Sequence, residues 1–229
     1  MINSNAIPLI LFFLGYHLCS AQVASYTYDE EATYQYDQVS AQMVLRVSIN
    51  SVQDMEGTPY LQQDWTDAIV YDHLHKKRTR ISAKFNAYTK EIEFLKGEAI
   101  LALKPVGTIE VQIGDIVFKS IKVPGSNRFV FAQELVQGNM DIMRYYDTKI
   151  VKAASDSNLL GIEAKDRLNI TSKLFYREGD NEAWALWPKS KKEIHTIIND
   201  SAKRFAKKNK LSLKRESDLI EIIKKHNEG

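Results

Sequence analysis

From about residue 41 to residue 148 the chain keeps a rhythm of two, with apolar and polar residues alternating in short runs such as "RISAKF" (80–85) and "IEVQI" (109–113). That period belongs to half-buried strands, because successive side chains on a strand point to opposite faces. Met43, Leu45, Val47 and Ile49 share a face on this reading, as do Ile81, Ala83 and Phe85, then Ile109, Val111 and Ile113, then Phe129 and Phe131. Compact turn signals separate the runs: Asn86-Ala-Tyr-Thr89, Lys96-Gly97, Gly114-Asp115, Pro124-Gly-Ser-Asn127 and Gln137-Gly-Asn139. Loops this short join antiparallel neighbours, since a parallel crossover takes a dozen residues or more. The expected fold is therefore mainly β, an antiparallel up-and-down meander of roughly eight or more strands. A sheet of that length does not stay flat, so it is expected to curl, as a barrel or as a sandwich. Gly114-Asp115 is the sharpest local signal, because glycine at the first central position permits the positive φ of a type II′ hairpin.

Beyond this region the pattern changes. Residues 151–166 show no clear period and read as a loop or a short helix, and a last hairpin follows, with Leu168–Arg177 and Glu182–Trp187 flanking Glu178-Gly-Asp-Asn181. Pro188 ends it by removing an amide donor. From Ser190 the period becomes helical. Ile194, Ile197, Ile198, Ser201 and Phe205 fall on one stripe behind a Ser190/Glu193 capping-box pattern. Asn209-Lys210 marks a break, and Leu219, Ile222, Ile223 and His226 define a second stripe. A helical hairpin docked through those stripes is expected over residues 189–229.

Charge follows the same division. Residues 189–229 hold 12 Lys and Arg against 6 Asp and Glu, whereas residues 22–188 hold 19 against 23. The chain is electrically two-ended, with its helical end strongly basic.

The beginning differs in kind from the rest. Met1 to Gln22 contain no Lys, Arg, Asp or Glu, and Ile7 to Leu18 form an uncharged apolar run. That run is shorter than the roughly 20 residues that span a bilayer. Ala21 supplies a small residue before Gln22, so residues 1–21 read as a cleaved secretory signal, leaving no transmembrane span in the mature chain. A lipoprotein acylated at Cys19 is the rival, but Leu18 stands where such sites carry a small residue, and a soluble secreted or periplasmic protein is expected. Cys19 is the only cysteine, so the mature chain is disulfide-free and has no thiolate ligand or nucleophile. Residues 22–40 form a separate Tyr-rich acidic segment, with Tyr26/Tyr28 and Tyr34/Tyr36 around Asp29-Glu-Glu31. These pairs suit an edge strand or an extended arm. The expected organisation is thus a signal over 1–21, the Tyr-rich segment over 22–40, an antiparallel β domain over 41–188, and a basic helical hairpin over 189–229 packed on it.

Few residues carry chemistry. His73 and His75, in "YDHLHKKRTR" (71–80), would project to one side of an extended segment and suit a zinc pair, but zinc sites take three or four ligands and Asp72 would face the other way. The position falls between two strands, and a solvated hairpin tip is the better reading. Lys203, Arg204, Lys207, Lys208, Lys210, Lys214 and Arg215 form the densest basic group. A helix-turn-helix contact with nucleic acid is set aside on the export signal. Lysines near a helix C-terminus also favour its dipole, so a solvated face is the first reading and contact with anionic lipid head groups or polysaccharide the second. The sequons Asn169-Ile-Thr171 and Asn199-Asp-Ser201 are read as chance. The chain has no nucleophile elbow, no HExxH and no phosphate-cradling glycine loop. Asp54, Asp64 and Asp67 could supply an acid/base pair, but nothing in the sequence selects them, and no cofactor motif is present.

Gly57-Thr-Pro-Tyr60 followed by Trp65, then Phe85-Asn86-Ala-Tyr88 before Ile92-Glu-Phe94, then the tail from Lys189-Ser-Lys-Lys192 through Asn209-Lys210-Leu211 to Asp218-Leu219, resemble a broad group of exported β-rich proteins of Gram-negative bacteria that has no assigned activity. The likeness runs over about residues 43–228. It implies export and a β-rich fold, and its motifs are turns and strand ends. Where members of the group have a glycine-containing turn after the Trp65 strand, this chain has Asp72-His-Leu-His75.

The functional expectation is an exported, non-enzymatic binding or scaffolding protein of the cell envelope whose partner is an envelope protein or a lipid. A carrier of an apolar ligand in a curled β cavity and a hydrolase of envelope polymers are the alternatives.

Overall fold

The computed structural model describes residues 44–47, 55–153, 165–179 and 183–229. The strands are β1 (Val44–Val47), β2 (Thr66–Asp72), β3 (Lys77–Asn86), β4 (Glu91–Lys96), β5 (Ala99–Leu103), β6 (Ile109–Ile113), β7 (Ile116–Lys122), β8 (Phe129–Val136), β9 (Met140–Val151), β10 (Arg167–Glu178) and β11 (Ala185–Leu186). Helices α1 (Lys191–Ile197), α2 (Asp200–Lys208) and α3 (Glu216–Asn227) follow. All strand pairings are antiparallel, and they make one sheet in the order β1-β5-β4-β3-β2-β6-β7-β8-β9-β10-β11. The mainly antiparallel β class with C-terminal helices is as the sequence pattern requires, and the expected turns fall at residues 87–90, 97–98, 114–115, 123–128 and 137–139.

The order departs from a single meander at two places. β1 pairs with β5 rather than with β2, and between the β2–β5 meander and the β6–β11 meander, β6 returns to pair with β2 rather than with β5. The connection is Lys104–Thr108, whose Pro105 has no amide to extend a ladder. The sheet is curled: β3 and β9 are brought together through Phe85 and Tyr146, whose ring centroids lie 5.7 Å apart. It is neither closed as a barrel by a continuous ladder nor split into the two sheets of a sandwich.

The segment before β2 ties across the gap left by the curl. At one end the Glu56 amide donates to Asp166 O at 2.8 Å and Glu56 O accepts from the Leu168 amide at 2.9 Å. At the other, Pro59 O accepts from the Ala87 amide at 2.7 Å and the Leu61 amide donates to Phe85 O at 3.3 Å. Lys90, in the β3–β4 turn, adds an ion pair to Asp147 of β9 at 3.1 Å. Burial works to raise the Asp147 carboxyl, but Lys90, the Thr148 amide and Lys173 outweigh it and hold the carboxyl below its ordinary range.

This segment also brings the sequence motifs together. The Tyr60 hydroxyl donates to Glu93 Oε2 at 2.9 Å, and Asn86 Nδ2 donates to Glu93 Oε1 at 2.8 Å. Asn86 Oδ1 accepts from the Tyr88 and Thr89 amides, which shapes the turn. The Lys84 ammonium lies over the Tyr60 and Trp65 rings at 5.2 and 4.7 Å. Glu93 is 1% exposed, so its two donors satisfy a charge that burial would otherwise penalise heavily. Burial, followed by the hydrogen bond to Glu93 and its charge, raises the Tyr60 hydroxyl above its ordinary pKa. Tyr60, Trp65, Lys84, Asn86 and Glu93 thus form one polar clamp.

Side chains fill the inside of the curl. Phe85 stacks on Phe118 at 4.6 Å, and Phe94, Phe131, Ile81, Ile92 and Ile113 are buried around them. On β9 the same face carries Tyr146 into this core and, nearer its start, Met140 and Ile142 into a second core with the helices, which includes Ile194, Ile198, Leu219, Ile222 and Ile223. Between the two sits Arg144, which pairs with Glu216 of α3 and donates to Gln133 Oε1 at 3.1 Å and to the Tyr146 hydroxyl at 3.0 Å. The opposite face of β8–β10 holds a third cluster of Val130, Ala132, Met143, Tyr145, Phe175 and Trp184.

The basic tail is three helices, of which α2 and α3 form the expected hairpin and α1 precedes it. The stripe read as one helix breaks at Ile198 and Asn199, whose backbones are extended. Asn199 is the cause. Its side chain caps α2 by accepting from the Ala202 amide at 2.9 Å, while its Nδ2 donates to His226 O at 2.9 Å. Ser190 caps α1 through the Glu193 amide, as the capping pattern implies.

Candidate functional site

The apolar floor of the helical layer is not wholly covered. Between α1, α2, the turn before α3 and the sheet lies a groove of about 1010 Å³. Leu174 and Trp187 supply its sheet side, Ile194, Ala206 and Leu219 its helical walls, and Leu211 and Leu213 its turn. Leu174, Ala206, Leu211 and Leu213 are only half-buried, so apolar surface remains open to a ligand. Trp187 is 8% exposed and packs edge-on against Tyr176 at 5.5 Å.

The rim is cationic. Lys189, Lys191, Lys203, Lys207 and Lys214 line it together with His195. Lys203 pairs with Asp200 at 2.8 Å, whereas Lys189, Lys191, Lys207 and Lys214 have no ion pair among the described residues. The single lining carboxylate is Glu216, which Arg144 already holds. Helical geometry explains which residues meet: Lys203 and Lys207 are four apart on α2 and share a face, and the turn carries Lys214 to them. Pocket surfaces of this kind, apolar below with a few convergent charges above, are the usual form of small-molecule sites.

Of the basic residues singled out in the sequence, the fold gathers Lys203, Lys207 and Lys214. Arg204 and Lys208 lie one position further around α2 and point away from the groove lining, Lys210 sits at positive φ after α2, and Arg215 pairs with Asp218 at 3.6 Å. Lys189 and Lys191 are marked in the sequence only as part of a tail motif and His195 not at all, and nothing local says that α1 folds beside the turn at 211–214.

The histidine segment is the tip of the β2–β3 hairpin, where Asp72 pairs with Lys77 across the strands. Asp72 is 5% exposed, accepts from the Leu74 and His75 amides at 3.1 and 3.2 Å, and holds His75 Nδ1 at 2.5 Å. Burial works to raise its carboxyl, but the His75 ring and amide and the Leu74 amide outweigh that and lower it. His73 Nε2 faces Glu110 at 3.5 Å. The two rings are committed to different carboxylates, and among the described residues no three His, Cys, Asp or Glu side chains gather as metal ligands. Asp64 and Asp67 are exposed. Asp54, the Tyr-rich segment, the signal reading at 1–21, most of the 151–166 loop and the side chains of β1 lie outside the described residues. Asn199 of the second sequon is the α2 cap, and Asn169 lies in β10 opposite Lys149.

Phe85, Phe94, Phe118 and Phe131 fill the interior of the curl, while the groove under the helices leaves apolar surface open. Among the described residues no helix is long and apolar enough to cross a membrane. Comparison with family models, with curated proteins and with solved structures returns no match.

Proposed function

We propose that this chain is an exported binding protein of the cell envelope, without catalytic activity, that holds an anionic component of the envelope through its C-terminal helical layer. The observation that carries the reading is the groove, with four lysines lacking ion partners among the described residues above half-buried leucines. Four cations kept around one concave surface repel one another, and that arrangement is relieved when an anion enters. The basic excess of residues 189–229, 12 Lys and Arg against 6 Asp and Glu, favours the approach of this end to a negative surface.

Native mass spectrometry of the chain recovered from the cells that produce it tests the reading. An acidic non-protein adduct, diminished in the Lys203→Glu, Lys207→Glu double variant, is the expected result. A bare chain, or a complex held equally by the double variant, overturns it.

A further inference from the structure

We infer that the groove takes a single-chain anionic amphiphile of the fatty-acid class, its carboxylate among the lysines and its aliphatic tail along Leu174, Ala206, Leu211 and Leu213. The inference rests on the binding function proposed above and adds the ligand's chemistry. A simple anion would use the rim and leave the floor wet. A neutral lipid would cover the floor and leave four lysines to repel one another. Only a molecule with both parts matches both surfaces. Charge selects the sign of the head group, since Lys189, Lys191, Lys207 and Lys214 have no carboxylate partner among the described residues and the one lining carboxylate, Glu216, is taken by Arg144. Size selects the tail: at about 1010 Å³ the groove is at the upper end of the roughly 300–1,000 Å³ range of small-molecule sites. Trp187, buried against the floor, places a fluorophore beside the tail.

Calorimetric titration of the full chain with octanoate, decanoate and dodecanoate, each below its micelle concentration, is the test, with inorganic phosphate and dodecyltrimethylammonium as comparisons. The expected result is saturable one-to-one binding of the carboxylates that tightens about fourfold for each added methylene, with a change in tryptophan fluorescence and little binding of the cationic surfactant. Lys203→Glu with Lys207→Glu, both at the groove rim, should weaken dodecanoate about tenfold. Ala206→Trp, which fills the floor, should abolish the chain-length dependence at an unchanged melting temperature. If Ala206→Trp unfolds the protein, the lysine variant alone decides. Equal affinity for phosphate and all three carboxylates would sink the amphiphile and leave the anion-binding function standing. Equal affinity for the cationic surfactant would sink the head-group assignment, and silence toward every anion would overturn both readings.

Discussion

The Phe85 ring on β3 and the Tyr146 ring on β9 approach to 5.7 Å between centroids, inclined at 50°, although β2, β6, β7 and β8 lie between their strands in the sheet. Five spacings in a flat sheet would hold them about 24 Å apart. Their contact records the curl, and Phe85, fully buried and stacked also on Phe118, is where the two ends of the curl share a core.

Phe85→Ala should therefore remove contacts from both sides at once. A loss of about 3–5 kcal/mol is expected in urea denaturation, against a much smaller loss for Phe129→Ala, whose ring is 39% exposed at a strand end. Equal losses would show that the curl is held elsewhere.

Gly57 and Gly114 both have positive φ, +94° and +56°, but a Cβ at Gly57 would stand 2.7 Å from Leu168 O, while one at Gly114 would meet only Thr66 Cγ2 at 3.6 Å. Gly114→Ala should cost about 1 kcal/mol, the left-handed penalty. Gly57→Ala carries the same penalty and also pushes the 56–61 segment off β10, so its melting temperature should be clearly the lower of the two.

In the polar clamp, Tyr60→Phe leaves the buried Glu93 carboxylate with one donor fewer. Chemical denaturation should show a loss of about 1–3 kcal/mol. Dodecanoate affinity should not change, since Tyr60 is absent from the groove lining; a parallel loss of binding would mean that the clamp and the groove are coupled.

His226 Nδ1 accepts from the Asn199 amide at 3.0 Å, a role open only to the neutral ring. Burial lowers its pKa, with the charge of Glu178 opposing. The unfolded chain then binds the proton more readily than the folded one, so this contribution to stability is complete above pH of about 6.5 and is lost as pH falls below that value. Thermal melts between pH 7.5 and 5 should show a decline that His226→Gln makes shallower. An identical decline in the variant would assign the pH dependence to other groups.

The two-residue rhythm was enough to read strands such as β3 and β6, since Ile81, Ala83 and Phe85 and then Ile109, Val111 and Ile113 carry their burial in their own spacing. Turn residues were legible for the same reason: Gly114 and Asn86 act on their immediate neighbours. Asn199 shows the limit of a local signal. Its apolar neighbours keep a helical stripe across it, and the break depends also on His226, 27 positions later, which takes both its amide and its side chain.

Alternation along the chain by itself determined that the protein is antiparallel β with a basic helical end, because period and turn chemistry are properties of adjacent residues. Only the tertiary structure decided that β6 returns to β2, that Tyr60, Asn86 and Glu93 form one clamp, and that Lys189, Lys191, Lys207 and Lys214 ring a single groove. Each of those joins residues far apart in sequence, and such meetings are set by how the sheet curls and where the helices find apolar surface to cover, which no local spacing encodes.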